Sequence, residues 1–248
     1  MRIDFNCDLG EGCGDDAAIL PWISSASIAC GGHAGDAASM RAALALCAEH
    51  GVAAGAHPSF VDRAHFGRRR LAVAPERLVA QLREQIEALA GLATALDLHL
   101  AHVKPHGALY NLAARDAEVA DCVIAAVRAV DPRLRLYALS GSLLAARAAA
   151  AGLVVDEEAF AERSYEADGS LTPRDRPEAS LHAVEDALSQ VRQLLRDGTV
   201  SARTGERVPL RAATLCLHGD RPGAPAFARA LRRALEGEGV RVAPPAAA

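Results

Sequence analysis

Short runs of apolar residues alternate along this chain with longer stretches in which apolar positions recur every three or four residues. The short runs read as strands: Ile3 to Cys7, Ala26 to Cys30, Val52 to Ala56, Leu98 to Val103, Leu134 to Leu139, Leu153 to Val155 and Ala213 to Leu217, with Val240 to Val242 as a candidate eighth. The stretches between them read as helices. Asp36 is placed to cap one that carries Met40, Ala43, Leu44 and Cys47 on a single face. Pro75 suits a first helical turn and is followed by Val79, Leu82, Ile86, Leu89 and Ala93. Val119, Val123, Ala126, Val127 and Val130 mark another helix, which Asp131-Pro132 ends. Val184, Leu188, Val191 and Leu195 continue the pattern up to Gly198, and Phe227, Leu231 and Leu235 complete it before Gly237.

Strand and helix alternating this often imply parallel pairing. A closed (β/α) barrel and an open doubly wound sheet both fit. No Gly-x-Gly-x-x-Gly follows the first strand and no phosphate-loop pattern occurs anywhere, which favours the barrel. One domain is expected over residues 1–243, with a frayed tail over 244–248. The segment from Glu157 to Ser180 breaks the rhythm. It has neither period, and it contains the turn signals Asp168-Gly169, Thr172-Pro173 and Arg176-Pro177. A loop that long in a compact domain is usually functional or disordered, and Phe160, Tyr165 and Leu171 within it argue for an ordered lid.

Composition narrows the function classes. A hydrophobic fraction of 51% is too high for disorder as the main state. A net charge of −4 and a pI near 6.1 argue against a nucleic-acid binder. The apolar stretch from Leu143 to Val155 is broken by Arg147 and Gly152 and falls short of the ~20 residues of a membrane span. The chain opens on a strand pattern, so no signal peptide is expected and a cytoplasmic location follows. The six Cys form no Cys-x-x-Cys pair, and their spacing suits neither a zinc ribbon nor a disulfide framework. They read as reduced thiols, Cys30 beside His33 included.

The candidate chemistry lies in where the polar residues fall. In a parallel barrel the active site is built at the C-terminal ends of the strands. Strand one runs into Asn6, Asp8 and Glu11, and strand two into Gly31-Gly32-His33 and Asp36. Strand three ends at His57-Pro58, strand four at His102-Val103-Lys104-Pro105-His106, and the seventh at His218-Gly219-Asp220. Five of the nine His thus fall at one predicted face, which marks it as a functional site. His102 and Lys104 are two apart and share a face of their strand. Histidine and carboxylate without paired Cys suit a divalent metal such as zinc, manganese or nickel. They equally suit metal-free acid–base hydrolysis, with Lys104 as electrophile or anion clamp. No Gly-x-Ser-x-Gly elbow is present, so a serine hydrolase is not expected. The Gly67-Arg68-Arg69-Arg70 turn reads either as a solvated basic loop or as a clamp for a carboxylate or phosphate.

In these same segments the sequence resembles the LamB/YcsF family. The matching stretches are Asp4-Phe-Asn-Cys-Asp-Leu-Gly-Glu11, Ala29-Cys-Gly-Gly-His-Ala-Gly-Asp36, Gly55-Ala-His-Pro58 and Phe66-Gly-Arg-Arg69. They continue through His102-Val-Lys-Pro-His-Gly-Ala-Leu-Tyr110, Asp168-Gly-Ser-Leu-Thr-Pro-Arg174, Val208-Pro-Leu210 and Cys216-Leu-His-Gly-Asp220. Two features depart from the family pattern: the stretch from Glu11 to Ile19 is shorter, and Gly32 stands where Phe is commoner. The resemblance implies a distorted (β/α) barrel of the seven-stranded type, similar to polysaccharide deacetylases. It implies the first, or A, component of an ATP-dependent 5-oxoprolinase, which opens the lactam of 5-oxo-L-proline to L-glutamate together with subunits B and C, with ATP and Mg as the expected co-substrate. In that frame Asp8, His33, His102, Lys104, His106 and His218 are the expected catalytic residues. Asn6, Glu11, Asp36, His57, Arg68, Arg69 and Asp220 are the expected substrate or nucleotide contacts. Asp8, His33 and His57 are the candidate set for a further divalent metal. The likeness to deacetylases supplies the alternative, a metal-dependent amide hydrolase that works alone. A non-catalytic, partner-binding component of a complex is a third reading, which the intact acid and His set argues against.

Overall fold

The structure, a computed structural model, describes residues 1–13, 15–220 and 223–245. In chain order the strands are β1 (Arg2–Leu9), β2 (Ser25–Ala29), β3 (Ala53–His57), β4 (His102–Val103), β5 (Arg135–Leu139), β6 (Val155–Phe160), β7 (Thr199–Ser201), β8 (Arg207–Pro209), β9 (Thr214–His218) and β10 (Arg241–Val242). The helices are α1 (Asp16–Ile19), α2 (Ala37–His50), α3 (Pro75–Thr94), α4 (Gly107–Ala113), α5 (Ala117–Val130), α6 (Leu143–Ala150), α7 (Val184–Asp197) and α8 (Ala224–Gly237). Strands β1 to β6 pair in sequence, all parallel, and β9 joins β6 to β1 and closes the ring. The barrel therefore has seven strands. The candidate eighth, β10, pairs only with Arg2 and Ile3, at the start of β1, and stands outside the ring.

The alternation within β1 explains the barrel's two faces. Ile3, Phe5, Cys7 and Leu9 join the hydrophobic core, while Asp4, Asn6 and Asp8 bond to side chains from other strands. Successive side chains of a strand point to opposite faces, so every odd position packs outward on helices and every even one fills the barrel. Ala26, Ile28, Ala56, Val103, Leu136, Ala138, Leu215 and Leu217 supply the same apolar layer from the other strands. The interior is correspondingly polar. Ser24, Ser25, Tyr137 and Thr214 all donate hydroxyls to the Asp4 carboxylate, at 2.6–2.9 Å. Barrels of this kind are usually filled by branched aliphatic side chains. This one is filled by a bonded polar column.

Helix ends follow their local sequence. Asp36 caps α2 by accepting from the amides of Ala38 and Ser39, and the Ser39 hydroxyl accepts in return from the cap amide, a capping box. Gly51 ends that helix in the left-handed conformation.

Several elements differ from the sequence pattern. Strand four ends at Val103 as expected, ahead of Pro105, but it starts only at His102, so residues 98–101 of the expected Leu98–Val103 run lie outside it. Strand six starts at Val155 and runs to Phe160, past the Leu153–Val155 expected. Its acids mask it: Asp156 is paired with Arg135 and Glu158 with Lys104, so a run of charges is nonetheless largely buried. Helices α1, α4 and α6 and the β7–β8 hairpin have no counterpart in the pattern: α1 and α4 are too short to show a period, and the Ala-rich α6 carries little apolar contrast. The turn-rich segment is ordered, as expected. Arg163 is buried and donates to the carbonyls of Ala179 and Thr172, at 2.9 and 2.6 Å. Tyr165 is fully buried and accepts from the Phe160 amide at 2.7 Å. Gln190 of α7 donates to the carbonyls of Phe160, Ala161 and Arg163. Of the expected frayed tail, Pro244 and Pro245 are half-buried, and 246–248 lie outside the described residues.

Gly55 is a position where the barrel interior admits no side chain. A Cβ there would stand 2.3 Å from His102 Nε2. That imidazole shares a bond with Ser27 Oγ at 3.1 Å and lies flat on the Tyr137 ring at 4.0 Å, so it has nowhere to retreat. Gly55→Ala is expected to cost about 2–3 kcal/mol of stability, read as a lower urea midpoint at unchanged slope.

Candidate active site

The centre of the barrel mouth is Lys104. Its amide donates to Ala56 at 2.9 Å, which holds it beside β3, and Pro105 then turns the chain away. The residue is 2% exposed. Its ammonium lies 2.9 Å from Asp8 Oδ1, 2.9 Å from Glu158 Oε1, 3.1 Å from Asn6 Oδ1 and 3.0 Å from Cys216 Sγ. Burial alone would favour the neutral amine, but Asp8, Cys216 and Glu158 outweigh it and raise its pKa well above the ordinary lysine value. Burial likewise works against ionised Asp8, yet His57 and Lys104 hold that carboxyl well below the usual range. Asn6 extends the network downward. Its Nδ2 donates to Glu158 and to Thr214, whose hydroxyl donates to Asp4.

Above Lys104 three imidazoles meet. His57 closes β3, and its Nδ1–H donates to the Lys104 carbonyl at 2.7 Å. His106 precedes α4, and its Nε2–H donates to the Phe66 carbonyl at 3.0 Å. Their remaining nitrogens, His57 Nε2 and His106 Nδ1, face each other at 2.9 Å. His33 stacks on His106 with ring centres 3.6 Å apart, and its Nε2 is 3.0 Å from Glu11 Oε1. Burial lowers the His33 pKa, and it lowers that of His106 well below the ordinary value with help from His57 and His33. In His57 burial is outweighed by Asp8, and its pKa rises. The Phe66–Gly67 turn closes over this group. Gly67 has a φ of +62°, and a Cβ there would meet His33 Cβ at 2.8 Å, so only glycine fits.

On the opposite wall His218 ends β9. Its Nδ1–H donates to Glu162, and its Nε2 is turned toward Asp8 Oδ2, 4.0 Å away. The Phe160 ring stacks on it at 5.6 Å. A narrow cleft of about 40 Å³ opens between these walls, lined by Asp8, His57, Lys104, His106, Tyr110, Arg68 and His218 among others. Arg68 reaches over the Phe66 ring to pair with Asp220 at 2.8 Å.

The structure thus brings together Asn6, Asp8, Glu11, His33, His57, Lys104, His106 and His218, with Arg68 and Asp220 at the rim. Three expected residues fall elsewhere. His102 does share the inward face with Lys104, but it sits a layer deeper, fully buried between Ser27 and Tyr137, where burial and the Lys104 charge push its pKa to about 3. That placement does not suit a proton carrier for a substrate in the cleft. Asp36 is not buried and spends its carboxylate on the α2 cap. Arg69 is exposed and does not line the cleft. Glu158, Glu162 and Cys216 join the site without having been marked by the strand-end pattern. All three lie at or close to strand ends, so the same rule finds the acids once β6 is placed correctly.

The donor set fits a divalent ion. Glu11, His33, His57 and His106 each bring a ligand atom within 4.8 Å of the others, and Asp8, Cys216 and His218 form a second such group. The expected trio of Asp8, His33 and His57 is therefore divided. Both His belong with Glu11 and His106, while Asp8 Oδ2 lies 3.4 Å from His57 Nε2 and its other oxygen is committed to Lys104.

Comparison with known proteins bears on the family and the fold. The profile of the LamB/YcsF family matches residues 3–248. A Bordetella pertussis protein, named as the A component of 5-oxoprolinase, is 48% identical over 245 residues, which is 97% of each chain. The crystal structure of a lactam utilization protein from Thermus thermophilus superposes with a TM-score of 0.92 at 44% identity, covering 98% of this chain and 99% of that one. A family 4 carbohydrate esterase from Streptomyces lividans superposes with a TM-score of 0.51 at 11% identity, over 97% of this chain and 91% of that one, and shares the fold.

His102 makes stability depend on pH in a defined direction. Its pKa is about 3 when folded and near 6.5 when unfolded, so between those values only the unfolded chain takes up the proton. Stability from this group is therefore complete above pH 7 and is lost as the pH falls, by about 2 kcal/mol at pH 5. His102→Gln keeps a partner for Ser27 and removes the proton site. The parent protein is expected to lose about 2 kcal/mol more than this variant between pH 7 and pH 5, measured by urea unfolding.

Proposed function

The chain belongs to the LamB/YcsF family, and we propose that it is the A component of a 5-oxoprolinase, opening the lactam of 5-oxo-L-proline to L-glutamate with ATP as co-substrate and subunits B and C as partners. The observation that carries this reading is the buried Lys104–Asp8–Glu158 group beneath the cleft, with His218 and Glu162 on its wall. The name of the relatives supports an enzyme built from several different chains, and no helix among the described residues is long and apolar enough to cross a membrane.

The chemistry of the lactam explains the need for ATP. The amide carbon is a poor electrophile. Transfer of the γ-phosphoryl group to the lactam oxygen, with release of ADP, converts it to an imidoyl phosphate. Water adds to that carbon, the ring C–N bond breaks with a proton delivered to nitrogen, and hydrolysis of the resulting acyl phosphate releases inorganic phosphate. His218 is built to move those protons. Glu162 holds its Nδ1–H, which leaves Nε2 bare toward the cleft, the orientation a general base requires. Lys104 keeps Asp8 ionised and in place at the cleft floor, and its positive charge lies where negative charge develops on the substrate. For the nucleotide, a second and wider cavity adjoins the cleft. Arg115, Arg163, Arg174 and Arg176 line it, and Arg163 and Arg174 line both spaces. Guanidinium forks suit phosphate oxygens, and this cluster stands in for the absent phosphate loop.

A second reading keeps the same site. The His–carboxylate donor set of Glu11, His33, His57 and His106 would equally serve an amide hydrolase that needs neither nucleotide nor partner.

Assay of the purified chain on 5-oxoproline separates the two. Turnover is expected only with ATP and subunits B and C present, and robust cleavage by the chain alone without nucleotide would establish the second reading instead. Within the complex, Lys104→Met is expected to lower kcat about 100-fold or more, the usual loss of roughly 3 kcal/mol for one electrostatic donor in a water-poor site. His218→Asn is expected to lower kcat by about 100-fold through lost proton transfer. Near-normal kcat in both variants would move the chemistry away from this cleft.

A further inference from the structure

We propose that the imidazole cluster at the barrel mouth is a first-row transition-metal site, with His33, His57, His106 and Glu11 as ligands of one divalent ion and Asp8 beside it. The inference begins with two hydrogen positions. A backbone carbonyl only accepts, so the His57 nitrogen facing Lys104 O and the His106 nitrogen facing Phe66 O must carry the hydrogens. An imidazole that binds a metal is neutral and has only one N–H. His57 Nε2 and His106 Nδ1 are then both bare, and they face each other at 2.9 Å in a buried space. Two lone pairs so placed repel unless a positive charge lies between them.

A shared proton would satisfy that pair and no more. Here further donor atoms lie close to that pair. Glu11 Oε1 is 3.0 Å from His33 Nε2, 3.4 Å from His106 Nδ1 and 4.0 Å from His57 Nε2. Asp8 Oδ2 is 3.4 Å from His57 Nε2. Ligands about 2.0–2.1 Å from a tetrahedral ion stand about 3.3 Å from one another, and these separations bracket that value. His33 lies stacked on His106 and joins the set by turning off that ring, and its buried Nδ1 has no hydrogen-bond partner that would resist the turn. The carbonyls of Lys104 and Phe66 then act as the outer groups that orient metal-bound imidazoles. Three nitrogens and a carboxylate, with no thiolate, select zinc, manganese, iron, cobalt or nickel over magnesium or calcium, which prefer all-oxygen sets.

The charge inventory agrees. Three carboxylates, Asp8, Glu158 and Glu11, face one Lys104 ammonium and imidazoles that bind a metal as neutral rings, which leaves two of the carboxylates without a counter-charge. A dication balances those two carboxylates.

The test reads metal directly and stands whether or not the lactam reading holds. The full chain is stripped with chelator, and Zn²⁺ and Co²⁺ are titrated separately by calorimetry, with the visible absorption of bound Co²⁺ followed in parallel. The expected result is one ion per chain and a saturable cobalt band of a nitrogen–oxygen site. His57→Asn and His106→Asn each lower affinity by more than about 100-fold, since even outer-group losses cost 10–100-fold. Glu11→Gln, on a loop outside the barrel ladder, provides a variant that keeps the fold, with normal melting as the check, and it too weakens binding. Cys216→Ser leaves binding unchanged. Absence of a saturable cobalt band in the parent chain, or parent-like affinity in folded Glu11→Gln and His106→Asn, would overturn the site and leave a shared proton between His57 and His106.

Discussion

A lysine ammonium buried inside a barrel is the constraint from which the rest of this structure follows. Taking one such charge out of water costs several kcal/mol unless partners surround it, and removing one partner leaves a charge unpaired. Lys104 has Asp8, Glu158, Asn6 and Cys216 around it, from three other strands. Those strands must hold their register for the ammonium to be satisfied. Asn6 relays the network to Thr214 and thence to Asp4, so the polar column runs the length of the barrel. The interior therefore contributes specificity of register, while the outward apolar layer under the helices supplies the burial that drives folding.

The site inherits its precision from this column. Asp8 is both the topmost acid of β1 and the partner of Lys104, so it cannot swing toward solvent without leaving the ammonium short of a counter-charge. His57 is tied to the Lys104 carbonyl, and His106 to a turn that only glycine permits at Gly67. The opposite wall is held differently. Glu162 and Arg163 follow β6 closely, and the turn-rich segment is pinned by backbone carbonyls on Arg163 and Gln190. Arg163 is also shared by the cleft and the wider Arg-lined cavity, so one rigid segment shapes both.

Much of this is legible in the chain's local pattern. The alternation of strand and helix, the missing phosphate loops and the repeated ionisable groups after apolar runs are enough for a barrel with its chemistry at one mouth. Asp8, Glu11, His33, His57, Lys104, His106 and His218 can be named because each lies at the end of an apolar run or a few residues beyond it. Glu158 and Glu162 escape because the acidic stretch Asp156-Glu157-Glu158 carries no apolar signature, although Glu158 is fully buried.

Periodicity and position in the chain thus determined which face of each strand is apolar and which residues reach the mouth, since both depend on local geometry alone. Depth and pairing were decided by the tertiary structure. His102 and Lys104 are indistinguishable by parity, yet one layer of barrel stagger buries the first against Tyr137 and sets the second among carboxylates. Asp36 and Glu11 both follow strands, yet one folds back to cap its own helix and the other reaches across to His33. The reason is the same in both cases. A local pattern specifies direction, but the partner that neutralises a buried charge comes from a distant strand, and only closure of the ring brings it there.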